Sequence, residues 1–402
     1  MRSDGERALG GLLEAMHLAG MEDLPAQVAE HARLSGFAHV MIYVTDLQEQ
    51  LLVPLPGQHD TAGEPLETLR IDATMPGRAF RAVTIIRGRS PKDGRTPLLW
   101  VPLLDGTERI GVLGLIAPQD DELAETRAKD LASLVAVLVV SKRPHSDSFA
   151  RLVRARPLTL SAEVLWNLLP PGTFANDDVV VSAALEPAYE MGGDAFDYAL
   201  DSGTLHVSIF DAMGHDTSAG LTASIAMAAC RNNRRQGMGL AAIGEAIDVA
   251  IREEFTGRFA TGILAQLDLR SGLLSWINRG HHPPLVLREG HLVASLESEP
   301  DPPMGFGMDA STGLLRYQLQ PGDRLLFYTD GVIEAQSPQG ELFGLERFID
   351  FVVRWEADGV SAPETLRRLI QAILAHQHGR LQDDATVVTV EWQTRRRFQL
   401  VL

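Results

Sequence analysis

Four acidic positions have the residue types and surroundings for chemistry: Asp194, Asp211, Asp330 and Asp383, the last followed by Asp384. Each falls at a predicted strand end or turn, beside glycine or a second carboxylate. Asp194 sits in EMGGDAFD, where Gly192 and Gly193 permit a close backbone approach. Asp211 follows the apolar run LHVSIF and opens DAMGHD, Asp330 follows LLFYT and precedes Gly331, and the 383/384 pair precedes ATVVTV. Any one of these alone reads as a turn residue or helix cap. Four in matching contexts read differently, because apolar strands that each end in aspartate bring carboxylates to one edge of a core. Gathered carboxylates repel unless protons or cations intervene, and hard cations such as Mg²⁺ or Mn²⁺ prefer oxygen donors. Two such ions about 3.5 to 4 Å apart can share a carboxylate, generate a nucleophilic hydroxide and stabilise a phosphoryl transition state. The expected reaction class is phosphoester hydrolysis.

Elements able to position these acids are predicted from Asp177 onward. Strands are expected over Val179 to Ala184, Leu205 to Phe210, Gly262 to Leu269, Leu273 to Asn278, Pro284 to Leu287, Leu314 to Leu319, Arg324 to Thr329 and Ala385 to Glu391. Ser271-Gly272 and Glu289-Gly290 are short enough for hairpin turns. Helices are expected near Thr217 to Gln236, Leu240 to Phe255, Leu345 to Trp355 and Pro363 to His376. Strand clusters with helices between them suggest two packed sheets with helical outer layers.

Residues 1–145 read as a separate mixed α/β unit. A helix passes through Leu12, Leu13 and Met16, strands follow at His39 to Val44, Leu98 to Leu103 and Gly111 to Ile116, and a long helix over Leu123 to Val140 starts after Asp120 and Asp121. Between the units, 146–172 reads as a helical linker. There Ser161 is the expected cap of a short helix with Val164, Leu165, Leu168 and Leu169 on one stripe, stopped by Pro170, Pro171 and Gly172. The expected domains are therefore 1–145, the linker 146–172, a catalytic domain 173–393 and a basic tail 394–402.

EMGGDAFDY, SIFDAMGHD, INRGHHPPLVL, LLFYTDGVIEA and DDATVVTV together resemble the stage II sporulation protein E-like branch of the metal-dependent serine/threonine phosphatases, the PPM superfamily, over about residues 178–392. The resemblance implies a β-sandwich flanked by helices, an α+β fold, with two or more Mn²⁺ or Mg²⁺ ions at one end and water as direct nucleophile. Carried across, Asp194, Asp211, Asp330 and Asp383 become the catalytic carboxylates and metal ligands, with Asp211 bridging, the Ala212 carbonyl as a backbone ligand, Asp384 as the alternative to Asp383, and Asp197 nearby as a supporting residue. The implied substrate is a phosphorylated signalling protein, typically an anti-sigma-factor antagonist. In the first unit, the order of helix, strands, Pro76-Gly77 turn, paired strands and closing helix resembles a GAF domain over about 8–142, which implies a small ligand or a homodimer and a regulatory role.

Two departures from the family's pattern bear on the site. Asp216 stands where GHG is common and reads as a cap for the helix near Thr217, while Arg279 and His282 occupy positions where smaller or apolar residues are common. Arg258 and Arg279 are the available candidates for gripping phosphate, though each reads first as a solvated surface charge. His215 and His281 read as loop-structuring residues. His376 and His378 are two apart and share no helix face, and Cys230 reads as a small buried residue.

Composition narrows the alternatives. Thirty-six Lys plus Arg against 53 Asp plus Glu give 36 − 53 = −17, which disfavours nucleic acid and anionic membrane as partners. A single cysteine excludes an internal disulfide and a cysteine-held metal centre. Neither a secretory leader nor a membrane anchor is expected, since the longest apolar run, Leu131 to Val140, is about half of a bilayer span. A cytoplasmic setting fits best. The competing expectation is a catalytically silent signalling scaffold with the same fold.

Overall fold

Two stretches of chain fold as separate units, with the divide between Pro157 and Leu158. The computed structural model describes residues 4–393 apart from 188, 191, 311, 312 and 380, so the basic tail expected over 394–402 lies outside the described residues.

The N-terminal unit comprises α1 (Asp4–Ala15), α2 (Leu24–Leu34), β1 (His39–Thr45), β2 (Leu51–Pro54), β3 (Leu69–Arg70), α3 (Met75–Ala82), β4 (Ile86–Arg89), β5 (Pro97–Asp105), β6 (Glu108–Ile116), α4 (Glu122–Lys142) and α5 (Asp147–Leu152). Its strands form one antiparallel sheet in the order β3-β2-β1-β6-β5-β4. Side chains alternate across it. Val40, Ile42, Val44, Leu99, Val101 and Leu113 pack with Leu12, Val28 and Val135 of the helices, while Met41, Tyr43, Trp100 and Val112 face Phe80 of α3. Asp121 starts α4 by accepting the Ala124 amide at 2.8 Å.

Pro76-Gly77 is not a turn, as its sequence suggests. Both residues lie in the first turn of α3, where proline is tolerated because its missing N–H would have no helical partner. Thr74 caps the helix by accepting the Gly77 amide at 3.2 Å, and a Cβ on Gly77 would run into the Ile71 carbonyl.

The stretch expected as a linker is shared: α5 belongs to the first unit and α6 (Leu160–Leu168) to the second. Ser161 does not cap α6. Thr159 does, accepting the Ala162 amide at 3.3 Å, and Ser161 is buried within the first turn.

The second unit continues with β7 (Thr173–Ala175), β8 (Val179–Glu186), β9 (Asp194–Asp201), β10 (Thr204–Ala212), α7 (Thr217–Arg235), α8 (Leu240–Glu254), β11 (Ala260–Asp268), β12 (Leu273–Arg279), β13 (Leu285–Arg288), β14 (His291–Ser295), β15 (Leu315–Gln318), β16 (Arg324–Tyr328), α9 (Asp330–Ile333), α10 (Leu345–Ala357), α11 (Ala362–His376) and β17 (Ala385–Trp392). Two antiparallel sheets result, β15-β12-β11-β10-β9 and β14-β13-β16-β17-β8-β7. Val179, Val181, Phe327, Val388 and Val390 of the second sheet join Phe196, Val207 and Ile263 of the first in one core, which extends to Met227, Ile243 and Ile247 of α7 and α8. On the outer face of the second sheet, Leu326, Tyr328 and Val387 pack against Phe348, Leu369 and Ile373 of α10 and α11. The architecture is an α+β sandwich of four layers, helices outside and sheets within.

Candidate metal-binding active site

Strands β9 and β10 are joined by Ser202-Gly203, both left-handed with φ of 49° and 87°. Two such residues make the tight turn whose twist suits a hairpin and which fixes its register. Counting back from Asp201 opposite Thr204 places Asp194 directly opposite Asp211. Directly opposed residues project from the same face, so the two carboxylates meet at the end of the strand pair. Gly193 lets the strands close there: the Ala212 amide donates to its carbonyl at 2.9 Å, and a Cβ on Gly193 would strike the Ala212 carbonyl.

The other sheet supplies the remaining acids at the same end. Thr329, after β16, and Thr386, in β17, each donate a hydroxyl to Oδ2 of Asp194 at 2.7 Å. The Thr386 amide in turn donates to the Thr329 hydroxyl at 2.9 Å. Asp384 is buried and turned inward, its Oδ2 accepting the Gly192 amide at 2.7 Å and the Asp194 amide at 3.2 Å. Asp383 is exposed at the rim, and its Oδ1 accepts the Asp384 amide at 2.9 Å. Asp330 is half-buried at the first position of α9, where Gly331 passes against the Asp384 carbonyl too closely for a Cβ.

These placements make the site strongly anionic. Burial, then the charges of Asp211 and Asp384, push the Asp194 carboxyl well above the usual range, against the pull of its two threonine donors. Asp211 is pushed up to about 7 by burial and then by Asp330, Asp383 and Asp384. Asp384 rises to about 6, chiefly through burial, with the amides of Asp194 and Gly192 opposing. Burial and Asp383 raise Asp330, and His282 acts the other way. Asp194, Asp211, Asp330, Asp383 and Asp384 are thus linked through one another's charges.

An all-oxygen donor set of mutually repelling carboxylates fits Mg²⁺ or Mn²⁺ and lacks the nitrogen and sulfur that zinc favours. Among the described residues no three His, Cys, Asp or Glu side chains stand closed on a single point as a finished ligand group. The carboxylates share an edge and repel across it, and a divalent cation is what would relieve that repulsion.

Several residues named from the sequence take other parts. Asp197 does not face the acids: it is buried in ion pairs with Arg231, at 2.9 and 2.6 Å, and Arg234, at 2.7 Å, which anchor α7 to β9. Arg279 is not solvated but among the largest fully buried side chains, with its Nε donating to the Pro302 carbonyl at 2.8 Å. His281 is enclosed, its Nε2 paired with the Tyr328 carbonyl at 3.1 Å and its Nδ1 with the Thr261 hydroxyl at 2.8 Å. The first contact requires a proton on Nε2, so Nδ1 accepts, and burial pushes its pKa down to about 3. It is a neutral brace that structures its loop. His282 stacks on Tyr328, with ring centroids 5.6 Å apart. His215 is exposed beside Gly192. His376 binds Arg347 and the Glu341 carbonyl, and His378 lies past the end of α11. Cys230 is buried in α7 and its thiol is pushed up to about 11, which leaves it inert. Thr329 and Thr386 escaped sequence reasoning, although both lie inside the quoted motifs LLFYTDG and DDATVVTV.

Residues 201–393 match the Stage II sporulation protein E (SpoIIE) family. The second unit thus carries a SpoIIE-type domain of the PPM class. The matched stretch holds Asp211, Asp330, Asp383 and Asp384, and Asp194 lies just ahead of it. Among curated relatives, Protein IcfG of Synechocystis sp. is 32% identical over 133 residues, 33% of this chain and 20% of its own length. Phosphoserine phosphatase RsbP of Bacillus subtilis is 24% identical over 46% of this chain and 47% of its own, and phosphoserine phosphatase RsbU of the same organism 21% identical over 58% and 69%. The chain spans about half or less of the length of the first two. Among solved structures, the RsbU and RsbW domains of Rv1364c from Mycobacterium tuberculosis align with a TM-score of 0.47 at 23% identity, over 54% of this chain and 62% of that one. No described helix is long and apolar enough to cross a membrane.

Proposed function

We propose that the chain is a metal-dependent serine/threonine protein phosphatase whose SpoIIE-type domain hydrolyses phosphoserine or phosphothreonine on a bacterial signalling protein, an anti-sigma-factor antagonist being the expected kind. The observation that carries this reading is the gathering of carboxylates at one end of the sandwich: Asp194 stands opposite Asp211, Asp384 holds the amides of Gly192 and Asp194, and Asp330 and Asp383 lie beside them, so that burial and neighbouring charge raise the set. A site that only held a fold would have no use for such repulsion. The names of RsbP and RsbU as phosphoserine phosphatases support the same class of substrate.

In this reading Asp194, Asp211, Asp330, the Ala212 carbonyl and Asp383 or Asp384 hold two or more Mn²⁺ or Mg²⁺ ions. When bound, these ions supply the acidity that turns water into a nucleophile and offset charge on the phosphoryl group. The chain's own residues prepare the site. Thr329 and Thr386 fix the rotamer of Asp194 by donating to one oxygen, leaving Oδ1 free of them. Asp384, held by two amides, keeps the Gly192-Gly193 turn closed against β10. His281 stays neutral, its Nε2 proton committed to the Tyr328 carbonyl and its Nδ1 an acceptor, so neither nitrogen offers a proton to a leaving alkoxide. Burial and the neighbouring carboxylates raise the Asp211 carboxyl, and a cation held there would favour its ionised form.

The N-terminal unit, read as GAF-like, serves as the regulatory part, with a small ligand or a second copy of the chain as its signal. Helix α6 offers the route within the second unit: the Thr159 amide donates to the Tyr189 carbonyl at 2.9 Å, three residues ahead of Gly192, and Ser161 abuts Gly220 of α7.

Phosphate release from a phosphoserine protein by the full chain, with and without Mn²⁺, tests the activity, with Asp211→Ala as control. Metal-dependent release abolished by the substitution is expected. Release no greater than that of the control would overturn the enzyme reading in favour of a silent scaffold.

A further inference from the structure

The loop that leaves the bridging position, Met213 to Asp216, is exposed throughout, and Gly214 within it is left-handed with φ of 89°. Apolar packing therefore does not hold it, yet it carries the chain directly from Asp211 and Ala212 into α7. One side chain spans it. Arg258, two residues before β11, donates from one terminal nitrogen to the Met213 carbonyl at 2.9 Å and from the other to Oδ2 of Asp216 at 2.7 Å. The other oxygen of Asp216 accepts the Ala219 amide at 2.8 Å and so caps α7. The Met213 amide donates to the Phe259 carbonyl at 3.0 Å, fixing the loop's start to the same segment that bears the arginine.

We infer that Arg258 is a positioning residue for the metal site: its forked guanidinium ties Met213 to Asp216 and thereby holds the Ala212 carbonyl and Asp211 in place to receive a divalent cation. This rests on the metal-site reading above. A planar fork with two separated donors suits the task, because it reaches a carbonyl and a carboxylate at once where an ammonium is a single point. Partners that orient ligands from behind typically matter by about 10- to 100-fold in metal affinity.

The opposing expectation has the opposite sign. If Arg258 were only a cation at the rim of an anionic site, its removal would tighten Mn²⁺ binding by Coulomb's law, and lysine would preserve the wild-type affinity. Titration of the full chain with Mn²⁺, reading free ion by electron paramagnetic resonance, distinguishes the two without any turnover. Arg258→Ala is expected to weaken binding about tenfold and Arg258→Lys to fall between, with unfolding temperatures close to wild type. Unchanged or tighter binding in Arg258→Ala overturns the inference. Should the alanine variant unfold, Arg258→Lys decides alone, since affinity equal to wild type would overturn it. Failure of the wild-type chain to bind Mn²⁺ would instead strike the metal-site reading itself.

Discussion

Asp194 stands directly across the strand pair from Asp211, while its Oδ2 accepts hydrogen bonds from the hydroxyls of Thr329, just past β16, and Thr386, in β17 of the opposite sheet. Like charges placed face to face in a ladder are unfavourable. Here the arrangement joins the two sheets at the one end where the remaining acids also emerge.

Thr386→Val keeps the shape of the buried side chain and removes one of the two donors to Asp194. The carboxylate then loses a fixed orientation, and Mn²⁺ affinity is expected to fall about tenfold. Thr386→Ser, which retains the hydroxyl, should restore most of it. Calorimetric titration of each variant provides the check.

The raised carboxyl of Asp211 sets a pH dependence. Its pKa is near 4 in the unfolded chain and about 7 in the folded one, so between these values the folded state binds the extra proton. Stability of the metal-free protein from this group therefore falls as pH rises from about 4 to about 7 and is level above. Asp211→Asn removes the effect. In urea unfolding with chelator present, the variant's gain over wild type is expected to be larger at pH 8 than at pH 5 by about 2–3 kcal/mol. A gain that shrank with pH would contradict the assigned cause.

Gly193→Ala and Gly203→Ala separate two reasons for glycine. At Gly193 a Cβ meets the Ala212 carbonyl, so β9 must move away from β10 at the site, with an expected loss of about 2–4 kcal/mol and of Mn²⁺ binding. At Gly203 the space is open and only the left-handed backbone is strained, with an expected cost near 1 kcal/mol and metal binding kept. Denaturation curves and Mn²⁺ titration of the pair report both quantities.

Much of this site was legible in the sequence. Apolar runs ending in aspartate, as in LHVSIFD and LLFYTD, marked β10 and β16 because a strand buried on both faces reads as a continuous hydrophobic stretch. Asp216 was readable as a cap, since a short acceptor before a helix satisfies a free amide locally. β9 was not. DAFDYALD carries three aspartates, and one of them, Asp197, is compensated only by Arg231 and Arg234 more than thirty residues on. The Ser202-Gly203 turn was the signal that could have found it. Arg279 and the threonine pair stayed hidden for a similar reason: their partners, Pro302 and Asp194, are distant in the chain. Pro76-Gly77 misled because proline and glycine punctuate turns and also suit a helix's first turn.

The contact between Ser161 and Gly220 is open to a cycle of substitutions. Gly220→Ala should push α6 off α7, lowering stability and changing turnover, and Ser161→Gly in the same chain should relieve it. A coupling of about 1 kcal/mol between the two is expected, measured by unfolding of the four proteins of the cycle. Additive effects would remove α6 as a route for regulation.

Crystals of the full chain grown with Mn²⁺ and measured at the manganese edge test the central proposal most directly. Two anomalous peaks about 3.5 to 4 Å apart are expected, with Asp211 touching both and Asp194, Asp330 and the 383/384 pair around them. Manganese bound elsewhere, with this edge of the sandwich empty at saturating ion, would contradict it.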